Sequence, residues 1–430
     1  MSFANAALQI KKLKITNFRK FESYSIEFDR QLTVLVGDNG TGKSTLIDAA
    51  CIALGTLFQK IQNAEALGIV PDDSRGAVIK QGDMFDIQSQ YPVSVEASGI
   101  VLGEEVGWLR SLKSAKGRTT QADAGRVIDA GEHLQELVGK GNEVVLPVLA
   151  RYGTDRLWKQ AASKDKATPN RTRGYEGALR ASANEARMNA WFKSQSIWEW
   201  QNRRESALFT AVKALASCFD AAATTKGAMV DYDVELNQLV FTYTTAEGVY
   251  HRDGMHSMSD GYRGTLSLFA DIAYRMATLN PALGSSVLET PGVAMIDEID
   301  LHLHPRWQAR ILEDLVRIFP NVQFIVTTHS PVVVASVPRG NIRILGEGAA
   351  TVPAMETRGR DAGDILNTVL GAFSRPEEAA RLFDFFNCAV DEERFDDARL
   401  ALQKLEEFVG VDDPDVVAAK TTLELEELLS

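Results

Sequence analysis

With 430 residues, 45% hydrophobic and 24% charged, the chain is long enough to bury one large core plus smaller appendages. No apolar run approaches the ~20 residues that a membrane-spanning helix needs, and the opening MSFANAALQIKKLKI lacks the apolar core and cleavage site of a secretory signal. The three cysteines (Cys51, Cys218, Cys388) form no CxxC pair, which argues against a disulfide framework or a zinc knuckle, so a cytoplasmic protein with no membrane partner is expected.

The net charge of −12 is unevenly placed. Residues 361–430 carry 18 acidic against 6 basic residues, whereas 151–210 carry 12 basic against 6 acidic. The overall acidity therefore does not exclude nucleic acid.

Residues 9–36 alternate as strands, through LKITNFRKF, SYSIEF and QLTVLV. The stretch STLIDAACIALGTLFQKI follows as an amphipathic helix, and YPVSVEASGIVL and VGWLRSL read as two more strands. From about 119 to 225 the pattern is helical and polar, interrupted by one apolar strand, VVLPVLARY. Strands return in DYDVELNQLVFTYTT and GVYHR. A helix (YRGTLSLFADIAYRMATL), a buried strand (GVAMIDE), a helix (RWQARILEDLVRIF) and a buried strand (QFIVTTH) come next. Continuously apolar strands alternating with helices predict a parallel α/β core. Everything after about 355 reads as helix.

Residues 37–44, GDNGTGKS, match G-x-x-x-x-G-K-[ST] between an apolar strand and a helix, the context in which that spacing is a phosphate-binding loop. The glycines (Gly37, Gly40, Gly42), with Asn39 between them, let backbone N–H groups wrap phosphate oxygens. Lys43 reaches the terminal phosphates, and Ser44, followed by Thr45 at the helix start, can set its hydroxyl on Mg²⁺. ATP and Mg²⁺ are the expected ligands. The strand GVAMIDE runs into Asp297 and Glu298, which places Asp297 to hold Mg²⁺ and Glu298 to activate the attacking water. His329, ending QFIVTTH, is placed to donate to the γ-phosphate. Residues 258–262, MSDGY, open a helix and form a second anion-binding turn in a chain that already has one. That turn makes sense if it caps a partner copy's nucleotide.

The order NFRKF, GDNGTGKST, MSDGY, AMIDEIDLHLHP and TTHSP resembles the ABC-type ATPases of the SMC/RecF and OLD-like branch. The resemblance implies an ATPase head made of a mixed β lobe and a parallel α/β core over 1–118 and 226–350. An inserted, largely helical basic subdomain would span 119–225, and an acidic helical region 360–430. It further implies that Ser259, Asp260 and Gly261 are a signature motif acting in trans across a head-to-head dimer, the unit of any higher even oligomer. By the same likeness, Asp300 occupies the D-loop position, and Asn17 and Arg19 lie where that branch approaches the nucleotide. Met258 departs from the usual leucine. The glutamine loop is left unassigned, with Gln81 one candidate and the strand VVLPVLARY, leading to Arg156, the other. More narrowly, PVLARYGTDRLW, SDGYRGTLSLFADIAYRMATLNP, IDEIDLHLHPRWQ and FPNVQFIVTTHSP resemble the ATPase subunit of Septu-type bacterial anti-phage systems, also found beside some retrons. That likeness implies a partner nuclease of the HNH type, and no nuclease site is visible in this chain.

Three features carry more than one reading. His302 and His304 are either a D-loop packing pair or metal ligands. Trp158, Trp191, Trp198 and Trp200, four of the six tryptophans, lie within the basic stretch 151–210. They either stack on nucleic acid or fill a small core. At the level of function, control of a nuclease in defence competes with a RecF/SMC-like repair ATPase acting on DNA alone, and more weakly with a toxin–antitoxin ATPase. The tail reads as three short helices, with an acidic face better suited to a protein partner than to DNA.

Overall fold

The computed structural model describes residues 6–81, 84–154, 170–180, 185–203, 214–216, 219, 226–245, 247–372 and 375–429. It contains two compact units, Met1–Gly359 and Arg360–Ser430. Among the described residues no helix is long and apolar enough to cross a membrane.

The first unit opens with β1 (Leu8–Phe18), whose Leu8, Ile10, Leu13 and Ile15 turn inward, and β2 (Phe21–Glu27), which pairs with it antiparallel. Next comes β3 (Leu32–Val36), buried along its whole length, as a central parallel strand must be. After the helix α1 (Lys43–Leu54), β4 (Arg75–Gln81) and β5 (Met84–Gln90) form a sheet of their own. The strands β6 (Val93–Val101) and β7 (Glu104–Leu112) join the first two in the order β2-β1-β6-β7. The helix α2 (Gly125–Gly139), the strand β8 (Val148–Tyr152) and the helix α3 (Glu185–Asn202) follow. Then β9 (Lys226–Asp233), β10 (Gln238–Thr244) and β11 (Tyr250–Gly254) make an antiparallel sheet that leads into α4 (Asp260–Leu279).

The remainder completes the central layer with β12 (Gly292–Ile296), α5 (Pro305–Gln308), α6 (Ile311–Ile318), β13 (Val322–Thr327), α7 (Pro331–Ala335), β14 (Ile342–Leu345) and β15 (Ala350–Thr351). The central sheet has the order β15-β14-β3-β13-β12-β8, parallel except for β15. A mixed β lobe beside a parallel α/β core is the architecture expected from the apolar strand pattern.

One segment differs from expectation. The strand in VVLPVLARY, read as an interruption of a helical insert, is the edge strand of the central sheet, paired with β12 from Gly292↔Val148 to Ile296↔Tyr152. Next to it in sequence, α2 packs so tightly on the turn at Leu57 that a Cβ on Gly131 would lie 2.0 Å from the Leu57 carbonyl oxygen. Residues 125–152 are therefore part of the head. The sequence pattern hid this because a five-residue apolar strand shows no partner until the sheet assembles.

A buried side chain links the two large sheets. Gln323 of β13 accepts from the Ile10 N–H at 2.9 Å, and its amide donates to the carbonyls of Ile10 and Asp29, each at 2.8 Å. It sits where the β1–β6 register shifts between Ile10 and Lys12, so the amide satisfies backbone groups that the irregular ladder leaves open.

The second unit has α8 (Ala362–Thr368), α9 (Glu377–Asp391), α10 (Phe395–Phe408) and α11 (Pro414–Leu429). Phe386, Ala389, Ala398, Leu402, Leu405, Val416 and Leu423 form its core. Arg375 holds Asp413 through two bonds, at 2.9 and 3.1 Å, and Asp413 caps the start of α11 by accepting from the Asp415 and Val416 N–H groups.

Gln323→Leu keeps the volume and leaves the Ile10 N–H and two carbonyls without a partner. A loss of about 2–5 kcal/mol of stability is expected, read as a lower urea midpoint; an unchanged midpoint would show that the junction is held elsewhere.

Candidate functional site

Three parallel strands end level with one another. Val34, Val326, Ile296 and Tyr152 form one row across the sheet, so the loops after β3, β13 and β12 emerge side by side. The carboxyl ends of parallel strands are where α/β sheets bind ligands.

After β3 the chain turns through Gly37, Asp38, Asn39 and Gly40 into α1. Gly42 has φ 102°, and a Cβ there would lie 2.5 Å from the Phe21 ring, so only glycine fits. The Lys43 ammonium folds back over the loop and donates to the Gly37 and Asp38 carbonyls at 2.8 and 3.0 Å. Its burial lowers its pKa, against the pull of Asp297, Glu298, Asp38 and Asp300 around it. Asn39 and Ser44 are exposed and Thr45 is half-buried, while Lys20 reaches the Gly40 carbonyl at 2.5 Å.

Asp297, only 6% exposed, follows β12, and its N–H donates to the Tyr152 carbonyl at 2.8 Å. The Thr327 hydroxyl donates to the Asp297 carboxylate at 2.6 Å and accepts from the Glu298 N–H at 2.7 Å. Glu298 stands at φ 47°, a left-handed conformation that costs a non-glycine residue about 1–3 kcal/mol and gathers at functional sites. The next hydroxyl, of Thr328, donates to Asp300 at 2.6 Å. His329, half-buried, comes directly after these two threonines. Thr327 and Thr328 were not singled out from the sequence, although the string TTHSP contained them; nothing in a string tells which acid a hydroxyl faces.

Ser259 is exposed and N-caps α4, with no capping bond from its own side chain. Asp260 opens the helix, also exposed. A Cβ on Gly261 would lie 2.4 Å from the His302 carbonyl oxygen, which demands glycine where the helix start rests on the turn after Asp300. Tyr262 meets Trp307 edge-on with ring centres 4.7 Å apart, closing the same contact.

The structure thus brings together the phosphate-loop residues, Asp297, Glu298, Asp300 and His329, and seats Ser259–Gly261 against the Asp300 turn. Asn17 and Arg19 are engaged differently. The Asn17 amide donates to the Pro92 carbonyl at 3.1 Å, and Arg19 donates to Asp73 at 3.0 Å and to Asp48 of α1 at 2.6 Å. Burial opposes the Arg19 charge, but its bonds to Asp48 and Asp73 more than offset this and raise its pKa.

His302 lies in the turn at φ 62°, and the His304 ring accepts from the Arg306 N–H as the cap of α5. No group of three His, Cys, Asp or Glu that could hold a metal ion occurs among the described residues. Trp191 packs edge-on against Tyr274 of α4, whereas Trp200 is 81% exposed; Trp158 and Arg156 lie outside the described residues. Gln81 ends β4 in the two-stranded sheet.

Two family models match the chain. One, described as "AAA domain", matches residues 12–208; the other, described as "AAA domain, putative AbiEii toxin, Type IV TA system", matches residues 178–335. The Retron Ec83 probable ATPase of Escherichia coli is 26% identical, over 97% of this chain and 87% of its own length. The Septu protein PtuA of Bacillus mycoides (strain KBAB4) is 24% identical, over 79% of this chain and 40% of its own length. Among solved structures, the SmcHead bound to the C-winged helix domain of ScpA is 17% identical, covering 81% of this chain and 98% of its own, with a TM-score of 0.47. By its AAA-domain matches and its curated relatives, the chain resembles the retron and Septu PtuA ATPases and, over shorter stretches, RecF and Smc proteins.

Proposed function

We propose that the chain binds ATP with Mg²⁺ and hydrolyses it at sites completed by a second copy, and that it acts in bacterial anti-phage defence by controlling a nuclease partner. The observation that carries the catalytic reading is the buried Lys43 in the phosphate loop after β3, with Asp297, Glu298 and Asp300 of the segment after β12 around it. The loop amides and Lys43 would hold the β- and γ-phosphates. The exposed Ser44 hydroxyl and the buried Asp297 carboxylate are a hard oxygen pair suited to Mg²⁺, which supplies neutralisation of the phosphate charge.

Glu298, its backbone pinned through Thr327, orients the attacking water and accepts its proton. His329 follows β13 and donates to the γ-phosphate oxygens. Ser259, exposed at a helix N-terminus, is offered outward to the nucleotide of the partner copy.

The defence role rests on the retron and Septu relatives, and the nuclease of the HNH type on the narrower resemblance in sequence. One feature also favours nucleic acid as a ligand: Trp198 and Trp200 are exposed on α3 within the basic stretch 151–210.

Glu298→Gln is expected to keep ATP affinity, slow hydrolysis by about 10³-fold or more and accumulate ATP-bound dimers in light scattering. Unchanged steady-state turnover would move the role to Asp300.

Mixing Lys43→Ala with Ser259→Arg tests the sharing of sites. In a mixed dimer one composite site holds both lesions and the other holds neither, so hydrolysis absent from each variant alone should partly return. No return, with no ATP-dependent dimer, refutes the trans role.

Removing 360–430, a compact unit of its own, should leave hydrolysis intact and abolish capture of the proposed HNH-type nuclease partner. Capture weakened by rising salt is expected if the acidic helices steer a basic partner. Equal capture without the tail would place that surface on the head.

A further inference from the structure

Three parts of the proposed site converge on the last two residues of β8. The Arg151 guanidinium pairs with Asp48 of α1, the carboxylate that also binds Arg19. The Tyr152 carbonyl accepts the Asp297 N–H at 2.8 Å. The Tyr152 hydroxyl donates to Asp271 of α4 at 2.8 Å, and Arg275, one turn further along α4, donates to the same oxygen at 2.6 Å. Arg275 goes on to the Gly174 and Glu176 carbonyls at 3.0 and 3.2 Å. Tyr152 and Asp271 are each 1% exposed and Arg275 is 4% exposed.

Stability alone does not account for this cluster. A buried ion pair repays its desolvation poorly, and apolar side chains of the same volume often serve as well or better. What the cluster supplies is direction. The bond between Asp271 and Arg275, four residues apart, sets the Asp271 rotamer, and the Tyr152 hydroxyl then admits α4 at one height and one rotation. The second Asp271 oxygen is buried with no hydrogen-bond partner among the described residues, so Tyr152 and Arg275 hold this carboxylate through one oxygen. Ser259 lies twelve residues upstream, about 18 Å along a continuous helix at 1.5 Å per residue. A shift of α4 at Tyr152 is therefore carried to the serine. Its N-terminal end is already braced by Gly261 on the His302 carbonyl and by Tyr262 on Trp307, so a slide of α4 would strain those contacts too.

We infer that Tyr152 is a positioning residue, which seats the Ser259 that the partner's nucleotide needs and joins it to this chain's own phosphate loop. The join runs through Arg151 to Asp48 and through the Tyr152 carbonyl to Asp297. It rests on the shared-site reading above. It differs from a packing role in where the defect falls: a lesion at Tyr152 should damage the site containing the other copy's phosphate loop.

Tyr152→Phe removes one oxygen and keeps the ring. Its affinity for ATP, titrated with a fluorescent analogue, should match the parent chain, and kcat should fall about tenfold or more with KM little changed. Mixed with Lys43→Ala it should regain hydrolysis, because one composite site then pairs an intact loop with an intact serine. Mixed with Ser259→Arg it should not, because each composite site then has a disabled or misplaced serine.

Asp271→Asn, isosteric and weaker in both bonds, should show the same pattern and stands in if the first variant folds poorly. Wild-type turnover by Tyr152→Phe, or rescue by Ser259→Arg and not by Lys43→Ala, overturns the inference. The Lys43→Ala with Ser259→Arg mixture is the control: its failure to recover removes the shared-site reading itself, whereas its recovery beside a failed Tyr152→Phe rescue removes only the role of Tyr152.

Discussion

Parallel pairing of β3, β13 and β12 is the constraint on which the rest depends. Because Val34, Val326 and Ile296 share a row, the residues one to three positions beyond them emerge from one edge of the sheet. Each strand rises ~3.3 Å per residue, so a register slip of one residue would move the acids about that far from Lys43 and turn them to the other face. The continuous burial of all three strands makes such a slip expensive, and the Gln323 junction to β1 adds a second fixed point.

Within that frame the charges are held by hydroxyl groups. Thr327 and Thr328 hold the Asp297 and Asp300 carboxylates by bonds of 2.6 Å, and Thr327 also pins the Glu298 backbone N–H at 2.7 Å, without adding further charge. Lys43 is buried among them, an arrangement that opposes like-charge repulsion between the acids while desolvation weakens the ammonium. The left-handed backbone of Glu298 is tolerated because the Thr327 hydroxyl and the Leu301 N–H bond to either side of it.

The second unit obeys a different economy. Its core is small, and its surface carries most of the chain's excess negative charge. Helices of this kind are held by local pairs such as Arg375 with Asp413 and by a stripe of alanine and leucine. A net negative charge repels nucleic acid and attracts basic proteins at a distance.

The residues themselves determined the phosphate loop, the two acids after an apolar strand, the helix-opening serine and the separate acidic helices. Each is a short-range pattern whose meaning depends on neighbours a few positions away: glycine where φ is positive, apolar runs where both faces are covered, acids at a strand end. Tertiary structure alone decided that Val148–Tyr152 is a strand of the central sheet and that Arg19 is spent on Asp48 and Asp73. It alone decided, too, that Thr327 and Thr328 hold the Asp297 and Asp300 carboxylates and that Tyr152 meets Asp271. Those contacts join residues 28 to 144 positions apart, with side chains that are individually ordinary. A hydroxyl or a guanidinium acquires its partner only when packing brings a distant carboxylate within ~3 Å, and linear spacing holds no record of that distance.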